Sequence, residues 1–277
     1  MLALENPYRL LETEVVDIWD ETPTIKTLRL QPKEPLPFEA GQFIELALPG
    51  VGEAPFTPSS SASEPEILEV TIMRVGRVTE RIHQLKAGDV IGIRGPYGAA
   101  YPLDEFRDRE VVVVGGGCGF APVRSLMYSL FERRGELANL YFRGGCRSPQ
   151  EFLYRQEINQ WANQYDLDLE LTVDVGGPGW DGPVGVVTEI VEGLQPEYGT
   201  ASAVAVVCGP PIMMKFSVRT LLTMGFRAEN MFLSMEENMS CGFGKCGHCR
   251  LDTYYICRDG PVFRYSDIRD APGMWGL

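Results

Sequence analysis

Four cysteines near the end of the chain constrain its fold most, because clustered thiols of this kind converge on a shared metal site. They lie between Cys241 and Cys257 with the spacing C-x4-C-x2-C-x7-C. In a reducing compartment such thiols are more often metal ligands than disulfide partners. The C-x4-C-x2-C spacing with a later fourth cysteine is the plant-type pattern of a [2Fe-2S] cluster. The spacing therefore predicts four cluster ligands: Cys241, Cys246, Cys249 and Cys257.

Three glycines in the same segment support this interpretation. Gly242, Gly244 and Gly247 permit tight turns with positive φ, which let backbone N–H groups point at the sulfurs. The alternatives are a structural zinc site, which usually has two short C-x2-C pairs, and reduced thiols without a metal. His248 lies inside the loop and is interpreted as a surface residue, because the four cysteines already complete a site.

The first part of the chain has the pattern of a small barrel. Short β segments such as Thr24–Leu30, Leu68–Met73 and Val90–Arg94 alternate with prolines and glycines that end them. Many short strands at this spacing are typical of an antiparallel barrel. We predict that this β-barrel occupies residues 1–103.

A different pattern follows the predicted barrel. Val111–Val114 and Ala203–Val207 are continuous apolar runs, the mark of strands buried on both faces. Helical stretches come after them, at Pro122–Arg134 and around Ile212–Met224. Strand–helix alternation of this kind indicates an open, mostly parallel sheet with helices on both faces. We therefore predict a doubly wound α/β domain over residues 104–232 and a small cluster lobe over residues 233–277.

Each of the two buried strands ends in a loop suited to a nucleotide. The loop GGGCGFAP runs from Gly115 to Pro122 and opens a helix, and Cys208-Gly209-Pro210-Pro211 follows the other strand. Backbone N–H groups and a helix N-terminus at the carboxyl ends of parallel strands can bind a pyrophosphate. The first loop has Pro122 where the usual dinucleotide fingerprint has its last glycine, and a plain tight turn is the alternative interpretation.

Composition argues against other classes of function. The net charge of -13 at pH 7 opposes nucleic-acid binding, which needs a basic surface to meet phosphates. No basic N-terminal region precedes an apolar run, and no apolar stretch approaches the ~20 residues of a membrane helix. We therefore expect a cytoplasmic protein without a membrane segment. No nucleophile–base pair is apparent, so hydrolytic chemistry is not expected.

Together these segments resemble the ferredoxin-NADP reductase superfamily. Within it, the chain is similar to the gamma subunits of sulfhydrogenase-type NiFe hydrogenases, to the flavin/[2Fe-2S] subunit of anaerobic sulfite reductase and, more distantly, to the dihydroorotate dehydrogenase electron-transfer subunit. The resemblance covers nearly the whole chain and is most specific in GVGEAPF, MRVGRVTERIHQLKAGDVIGIRGPYG, GGGCGFAP, CGPPIMMKF and MEENMSCGFGKCGHC. The dihydroorotate type usually has a longer gap before the fourth cysteine, so the seven-residue gap favours the other two.

The resemblance implies an electron-transfer reductase subunit. NAD(P)H would pass a hydride to FAD, and FAD would pass single electrons through the cluster to a partner catalytic subunit of a hydrogenase or of a sulfite or sulfur reductase. FAD is favoured over FMN because a pyrophosphate loop is present. The alternatives are an electron-transfer subunit of dihydroorotate dehydrogenase and, in a different class, a non-catalytic cluster-bearing scaffold or redox sensor.

The resemblance also assigns residues to the flavin and the nicotinamide. The flavin motif R-x-Y-[ST] corresponds to Thr57, Pro58, Ser59 and Ser60. Ser60 matches the hydroxyl that hydrogen-bonds flavin N5, whereas Thr57 and Ser59 replace the arginine and the stacking tyrosine. Cys208 would lie beside the nicotinamide. Ser60 and Cys208 are thus the two predicted catalytic residues.

Further residues are assigned to the phosphates. Val75–Thr79 matches the pyrophosphate loop of the family, with a hairpin turn as the alternative. Arg143 and Arg147 follow the predicted strand Leu140–Phe142, where a 2′-phosphate could be read, with surface salt bridges as the alternative. The remaining predicted cofactor contacts are Met73, Arg74, Val75, Gly76, Val78, Thr79, Gly115, Gly117, Gly119, Gly209 and Pro210.

Overall fold

An antiparallel sheet of six strands forms the first part of the molecule. Its elements are β1 (Leu11–Thr22), β2 (Ile25–Pro32), β3 (Phe43–Leu48), β4 (Gly52–Phe56), β5 (Leu68–Met73), α1 (Arg77–Ile82) and β6 (Val90–Tyr97). In the computed structural model, which describes residues 6–275, the strand order is β4-β3-β6-β1-β2-β5. The two edges meet where Pro58, just after β4, bridges Val70 of β5. The sheet therefore closes on itself, which confirms the predicted barrel.

Aliphatic side chains fill the barrel interior. They come from every strand except the short β4 and include Val15, Leu28, Ile44, Val70 and Ile93. Burying each of them contributes ~1.5–3 kcal/mol. Strand β3 is buried along its whole length, and of its outward side chains Phe43 packs with C-terminal residues and Glu45 lies beside Gly242. That second contact brings the cluster segment onto the barrel.

A parallel sheet covered by helices forms the next part. Its elements are β7 (Val111–Gly116), α2 (Phe120–Glu132), β8 (Leu140–Cys146), α3 (Arg155–Gln164), β9 (Asp168–Val173), α4 (Val187–Glu192), β10 (Val204–Cys208), α5 (Pro211–Thr223) and β11 (Met231–Ser234). In the strand order β9-β8-β7-β10-β11, the chain adds β8 and β9 on one side of β7 and then β10 and β11 on the other. The point at which it switches sides lies between β7 and β10. Such a switch point is the place where open α/β sheets bind ligands. Within the described residues, no helix is long and apolar enough to cross a membrane.

The cysteine segment is not detached from the two domains. Its elements are β12 (Arg250–Leu251), β13 (Tyr254–Tyr255), α6 (Ile256–Asp259), β14 (Val262–Arg264) and α7 (Tyr265–Ile268). Strand β14 pairs antiparallel with β11 and becomes the sixth strand of the sheet that contains β7–β11. This sheet is called the nucleotide sheet below, because it carries the two predicted nucleotide loops. Pro261 also bridges Ala99 at the end of the barrel. The segment therefore shares main-chain contacts with both domains, and the boundaries at 103/104 and 232/233 stay predictions.

Candidate functional site

The two predicted nucleotide loops meet at the carboxyl ends of neighbouring strands. Cys208 of β10 is level with Gly115 of β7 in the parallel ladder. Gly119 is so close to the other loop that a Cβ there would overlap the Cys208 carbonyl oxygen. Gly117 has a φ of +54° and faces the ring of Pro210. Because glycine lets these backbones touch, the structure brings together Gly115, Gly117, Gly119, Cys208, Gly209 and Pro210.

The thiols at this edge of the sheet are neutral. Burial raises the pKa of Cys208 to about 12, although the nearby Ser234 hydroxyl acts in the opposite direction. Burial also raises the pKa of Cys118, in the first loop, to about 11. The negative charge of the Glu236 carboxylate also raises the pKa of both thiols, so Glu236 lies at this edge of the sheet. Thiolate chemistry is therefore not available to Cys208 at neutral pH. Glu236 belongs to the stretch MEENMSCGFGKCGHC, but it was assigned no role from the sequence.

The predicted flavin segment closes the barrel. The Ser59 N–H donates to the Glu69 carbonyl at 2.7 Å, and the Ser60 hydroxyl accepts from the Glu69 N–H at 3.0 Å. Ser59 is fully buried, so it offers no surface on which a flavin ring can stack. Ser60 keeps its own O–H for donation, because a hydroxyl can accept and donate at once. Thr57 is half-buried and Pro58 is buried beside them.

An arginine and a tyrosine from the nucleotide domain lie beside this segment. Arg124 Nη1 donates to the Ser59 carbonyl at 3.3 Å and to the Glu69 carboxylate at 2.5 Å. The Arg124 guanidinium lies over the Tyr154 ring, 4.5 Å from its centroid. Arg124 and Glu69 are each less than a tenth exposed. A buried ion pair therefore fixes the barrel against α2, next to Ser59 and Ser60.

The predicted pyrophosphate loop is shaped by Thr79. The Val75 and Gly76 N–H groups both donate to Thr79 Oγ1 at 2.9 Å, and that hydroxyl donates to the Gly76 carbonyl at 2.9 Å. The hydrogen bonds of the Thr79 hydroxyl are thus satisfied inside the loop. Because α1 begins at Arg77, the alternative of a hairpin turn is wrong. Several predicted contact residues of this stretch are exposed: Met73, Arg74, Val75 and Gly76.

The two arginines assigned to a 2′-phosphate differ, because Arg143 lies within β8 and Arg147 follows it. Arg143 is 5% exposed, and its Nη1 lies 2.9 Å from the Asp168 carboxylate. Its Nε lies 3.6 Å from Glu170. Arg143 is therefore held in ion pairs, but at a buried position and not on the surface as the alternative interpretation expected. Arg147 is exposed at the end of β8, where its side chain is accessible to a ligand.

Backbone donors surround the sulfurs of the cysteine segment. The φ angles of Gly242, Gly244 and Gly247 are +82°, +81° and +83°. The Gly244 N–H donates to Cys257 Sγ at 3.0 Å, and the Lys245 N–H donates to Cys241 Sγ at 3.2 Å. Burial raises the pKa of Cys241, but backbone donors outweigh it and lower the pKa to about 6. At Cys241 such donors stabilise the thiolate, which is the ligand form, whereas at Cys257 burial and the neighbouring Cys249 outweigh the Gly244 donor and raise the pKa to about 12.

The four cysteines lie in two pairs. The Cys246 N–H donates to Cys241 Sγ at 3.5 Å, and the Cys257 N–H donates to Cys249 Sγ at 3.5 Å. Across residues 6–275, no three His, Cys, Asp or Glu side chains converge on the position of a single metal ion. A zinc site needs four ligands around one ion, whereas a two-iron cluster takes two thiolates on each iron. Four thiolates, two for each of two irons, are the donor set of a [2Fe-2S] cluster, and the cysteine segment supplies them. Cys246 is exposed and the other three are buried.

The part of the cysteine segment that runs from Cys241 to Cys249, called the cysteine loop below, packs against the outside of the barrel. Arg94 Nη1 donates to the Cys241 carbonyl at 3.0 Å. A Cβ on Gly242 would be 3.0 Å from the Tyr97 ring and 3.3 Å from Glu45 Cγ. Burial raises the pKa of Glu45 to about 7, with Arg94 opposing the rise. Glu45 and Arg94 were missed in the sequence; their only signal is a charged residue inside an otherwise apolar strand, in FIELAL and VIGIR.

Three known domain families match the chain one after another. The oxidoreductase FAD-binding domain matches residues 13–101, and the oxidoreductase NAD-binding domain matches residues 113–219. The iron-sulfur cluster binding domain of dihydroorotate dehydrogenase B matches residues 236–269. Each part of the fold therefore corresponds to one cofactor: FAD, NAD or an iron–sulfur cluster.

Relatives are similar to the chain over nearly its whole length. Sulfhydrogenase 1 subunit gamma of Pyrococcus furiosus is 36% identical, over 99% of this chain and 97% of its own. Sulfhydrogenase 2 subunit gamma of the same organism is 34% identical, over 97% and 99%. The probable dihydroorotate dehydrogenase B (NAD(+)) electron transfer subunit of Thermococcus kodakarensis is 35% identical, over 92% and 96%. The chain belongs to this family of electron-transfer subunits.

Membership of the family makes the chain an NAD(P)H-dependent flavin iron–sulfur oxidoreductase subunit. Solved structures agree on the fold. The NADH-dependent reduced ferredoxin-NADP oxidoreductase has a TM-score of 0.75 at 22% identity, over 94% of this chain and 92% of its own. The cytochrome P450 reductase GcoB of Amycolatopsis has a TM-score of 0.69 at 23% identity, over 80% and 68%.

Proposed function

We propose that this subunit takes a hydride from NAD(P)H at the edge of the nucleotide sheet and delivers single electrons to a partner catalytic subunit of hydrogenase type. One observation carries the proposal: the cysteine loop lies directly on the FAD-binding barrel, where Arg94 bonds the Cys241 backbone. The domains that would hold donor and acceptor are therefore in contact. A bound flavin and cluster supply the conversion of an electron pair into single electrons.

The residues of the chain would bind and orient these groups. The backbone of the Gly115–Gly119 loop and the N-terminus of α2 offer N–H donors to a pyrophosphate. The neutral thiol of Cys208 would add no charge beside the nicotinamide. The free O–H of Ser60 would donate to the flavin, and Arg147 would meet a 2′-phosphate. Cys241, Cys246, Cys249 and Cys257 would hold the cluster.

The partner is proposed from the relatives. Two sulfhydrogenase gamma subunits match over nearly their full length, and the seven-residue gap before Cys257 favours that type. A second candidate is the electron-transfer subunit of a dihydroorotate dehydrogenase, which the match of residues 236–269 favours. Purification of the tagged subunit with its native partner separates the two, because only one complex would oxidise dihydroorotate. We place the protein in the cytoplasm, where the thiols stay reduced.

The function is tested by anaerobic titration of the purified holoprotein with NADH and, separately, with NADPH. We expect the flavin bands to bleach together with the broad visible absorbance of a [2Fe-2S] cluster, and the preferred nucleotide to do so at lower concentration. Cys249→Ser should abolish the cluster absorbance. Cys146→Ser, which changes a buried cysteine outside the segment, should keep it. Bound zinc, or a cluster without flavin and without a response to either nucleotide, would contradict the proposal.

A further inference from the structure

A buried arginine joins the barrel to the cysteine loop. Arg94 of β6 is 2% exposed. Its Nη1 donates to the Cys241 carbonyl at 3.0 Å, to the Tyr97 hydroxyl at 3.1 Å and to the Pro7 carbonyl at 3.2 Å. Its Nε donates to the Glu53 carboxylate at 2.8 Å, and Nη2 contacts the same oxygen. One guanidinium thus ties together the N-terminal segment, two barrel strands and the cysteine loop.

Only arginine can make this set of contacts. A guanidinium presents five N–H donors in a rigid planar fork, whereas the ammonium of lysine is a single point of charge. Burying such a cation is unfavourable unless its donors are satisfied. Here one of its acceptors is the backbone of Cys241, which lies 147 positions along the chain. The arginine is therefore placed for a contact with the cysteine loop as well as for the stability of the barrel.

The backbone of the loop approaches the barrel closely at the same point. A methyl group on Gly242 would be crowded, at 3.0 Å from the Tyr97 ring and 3.3 Å from Glu45. The Phe243 ring lies 5.1 Å from the Tyr8 ring and 6.3 Å from the Tyr97 ring. Arg94 in turn lies over the Tyr8 and Tyr97 rings, at 5.6 and 5.7 Å. Packing and hydrogen bonding therefore hold the Cys241 turn in one position relative to the barrel.

We propose that Arg94 is a positioning residue for the cluster: it holds the Cys241 turn against the flavin barrel and fixes a positive charge beside the site. The inference rests on the proposed function, because it requires a [2Fe-2S] cluster at these cysteines. Reduction adds negative charge to such a cluster. A fixed cation nearby favours the reduced form and raises the midpoint potential. The carboxylates of Glu45 and Glu53 are the charged groups that face Arg94.

The test compares the anaerobic wild-type holoprotein with two single variants of Arg94. Arg94→Met removes both the charge and the hydrogen bonds, and Arg94→Lys keeps the charge but loses the fork. We expect both variants to lose iron to a chelator about tenfold faster. That factor is equivalent to ~1.4 kcal/mol, which is about the contribution of one charge-assisted hydrogen bond. We expect Arg94→Met to shift the midpoint potential of the cluster to more negative values and to change its EPR spectrum. Arg94→Lys should keep a potential close to that of the wild type.

A matched control separates positioning from general stability. Arg124→Met removes the buried arginine at the other interface, bonded to Glu69 and Ser59. It should lower the unfolding temperature but leave the EPR spectrum, the potential of the cluster and the rate of iron loss unchanged. If Arg94→Met does not fold, Tyr97→Phe, which removes one acceptor of Arg94, should still speed iron loss.

Two outcomes distinguish the inference from the function on which it rests. If the wild type holds a [2Fe-2S] cluster and the Arg94 variants match it in iron loss and potential, the positioning role is overturned and the function stands. If the wild type holds no such cluster, the proposed function itself fails. Unchanged iron loss in Tyr97→Phe, in the absence of a folded Arg94→Met, would also overturn the positioning role.

Discussion

Gly119 decides how closely the two nucleotide loops approach each other, because glycine has no side chain. Its φ of -62° is an ordinary helical value, so the constraint is steric: a Cβ would be 2.7 Å from Gly209 Cα. We expect Gly119→Ala to push the loops apart, to destabilise the fold by ~1–3 kcal/mol and to weaken NAD(P)H binding. Urea denaturation and a nucleotide-binding titration measure the two effects.

Gly135→Ala is the matched control for this substitution. Nothing lies within 4 Å of a Cβ at Gly135, so we expect its stability to change by less than ~0.5 kcal/mol and its nucleotide affinity to stay that of the wild type. If the Gly119→Ala protein folds and keeps the nucleotide affinity of the wild type, the nucleotide does not bind at these loops.

Residues with a local signature could be predicted from the sequence, and residues that act over long separations could not. The paired cysteines and the three positive-φ glycines follow from spacing within one short segment. Arg94 could not be found in this way, because its partner Cys241 is 147 positions away. Thr79 belongs to a matching loop, but the sequence did not show that its hydroxyl is satisfied internally.

At the scale of elements, β5 and α2 are joined by the ion pair of Glu69 and Arg124. Burial raises the pKa of Glu69, but Arg124 and Arg29 outweigh it, so the folded value lies below the ordinary 4.5. A carboxylate with a lowered pKa stabilises the fold above its unfolded pKa, and that stability is lost as pH falls through the folded value. We therefore expect the free energy of unfolding to decrease when the pH is lowered below about 4.5.

Glu69→Gln should flatten that part of the profile and, at pH 7, destabilise the protein by ~1–3 kcal/mol, because Arg124 loses a charged partner. Urea denaturation at pH values from 7 down to about 3 measures both effects. Glu66→Gln, at an exposed position just before β5, should leave the profile as in the wild type. A Glu69→Gln profile with the slope of the wild type would show that another carboxylate carries the acid sensitivity.

Long periodic elements were predicted well, and short ones were not. The helices expected at Pro122–Arg134 and Ile212–Met224 are observed at Phe120–Glu132 and Pro211–Thr223, because their apolar spacing spans several turns. The three residues of β14 are too few to show a period, and their conformation depends on pairing with β11. Nothing in the sequence therefore indicated that the cluster lobe completes the nucleotide sheet.

At the scale of the whole molecule, the C-terminal segment covers an edge of the nucleotide sheet. Strand β14 pairs with Phe232–Ser234 of β11, and an uncovered apolar edge pairs readily with other chains. We expect a chain truncated after residue 235 to associate into oligomers or aggregates, measured by size-exclusion chromatography with light scattering. Full-length Cys249→Ser, which keeps β14, should stay monodisperse. A monodisperse truncated protein would show that the edge is protected without β14.

Strand β14 also limits how this chain can evolve. It follows all four cysteines in the sequence, yet it belongs to the sheet that precedes them. Recombination that replaced the cluster segment as a cassette would have to supply a strand that fits beside Met231–Ser234 and a turn that reaches Ala99. The electron-carrying end can therefore diverge by substitution on its surface more readily than it can be exchanged for another.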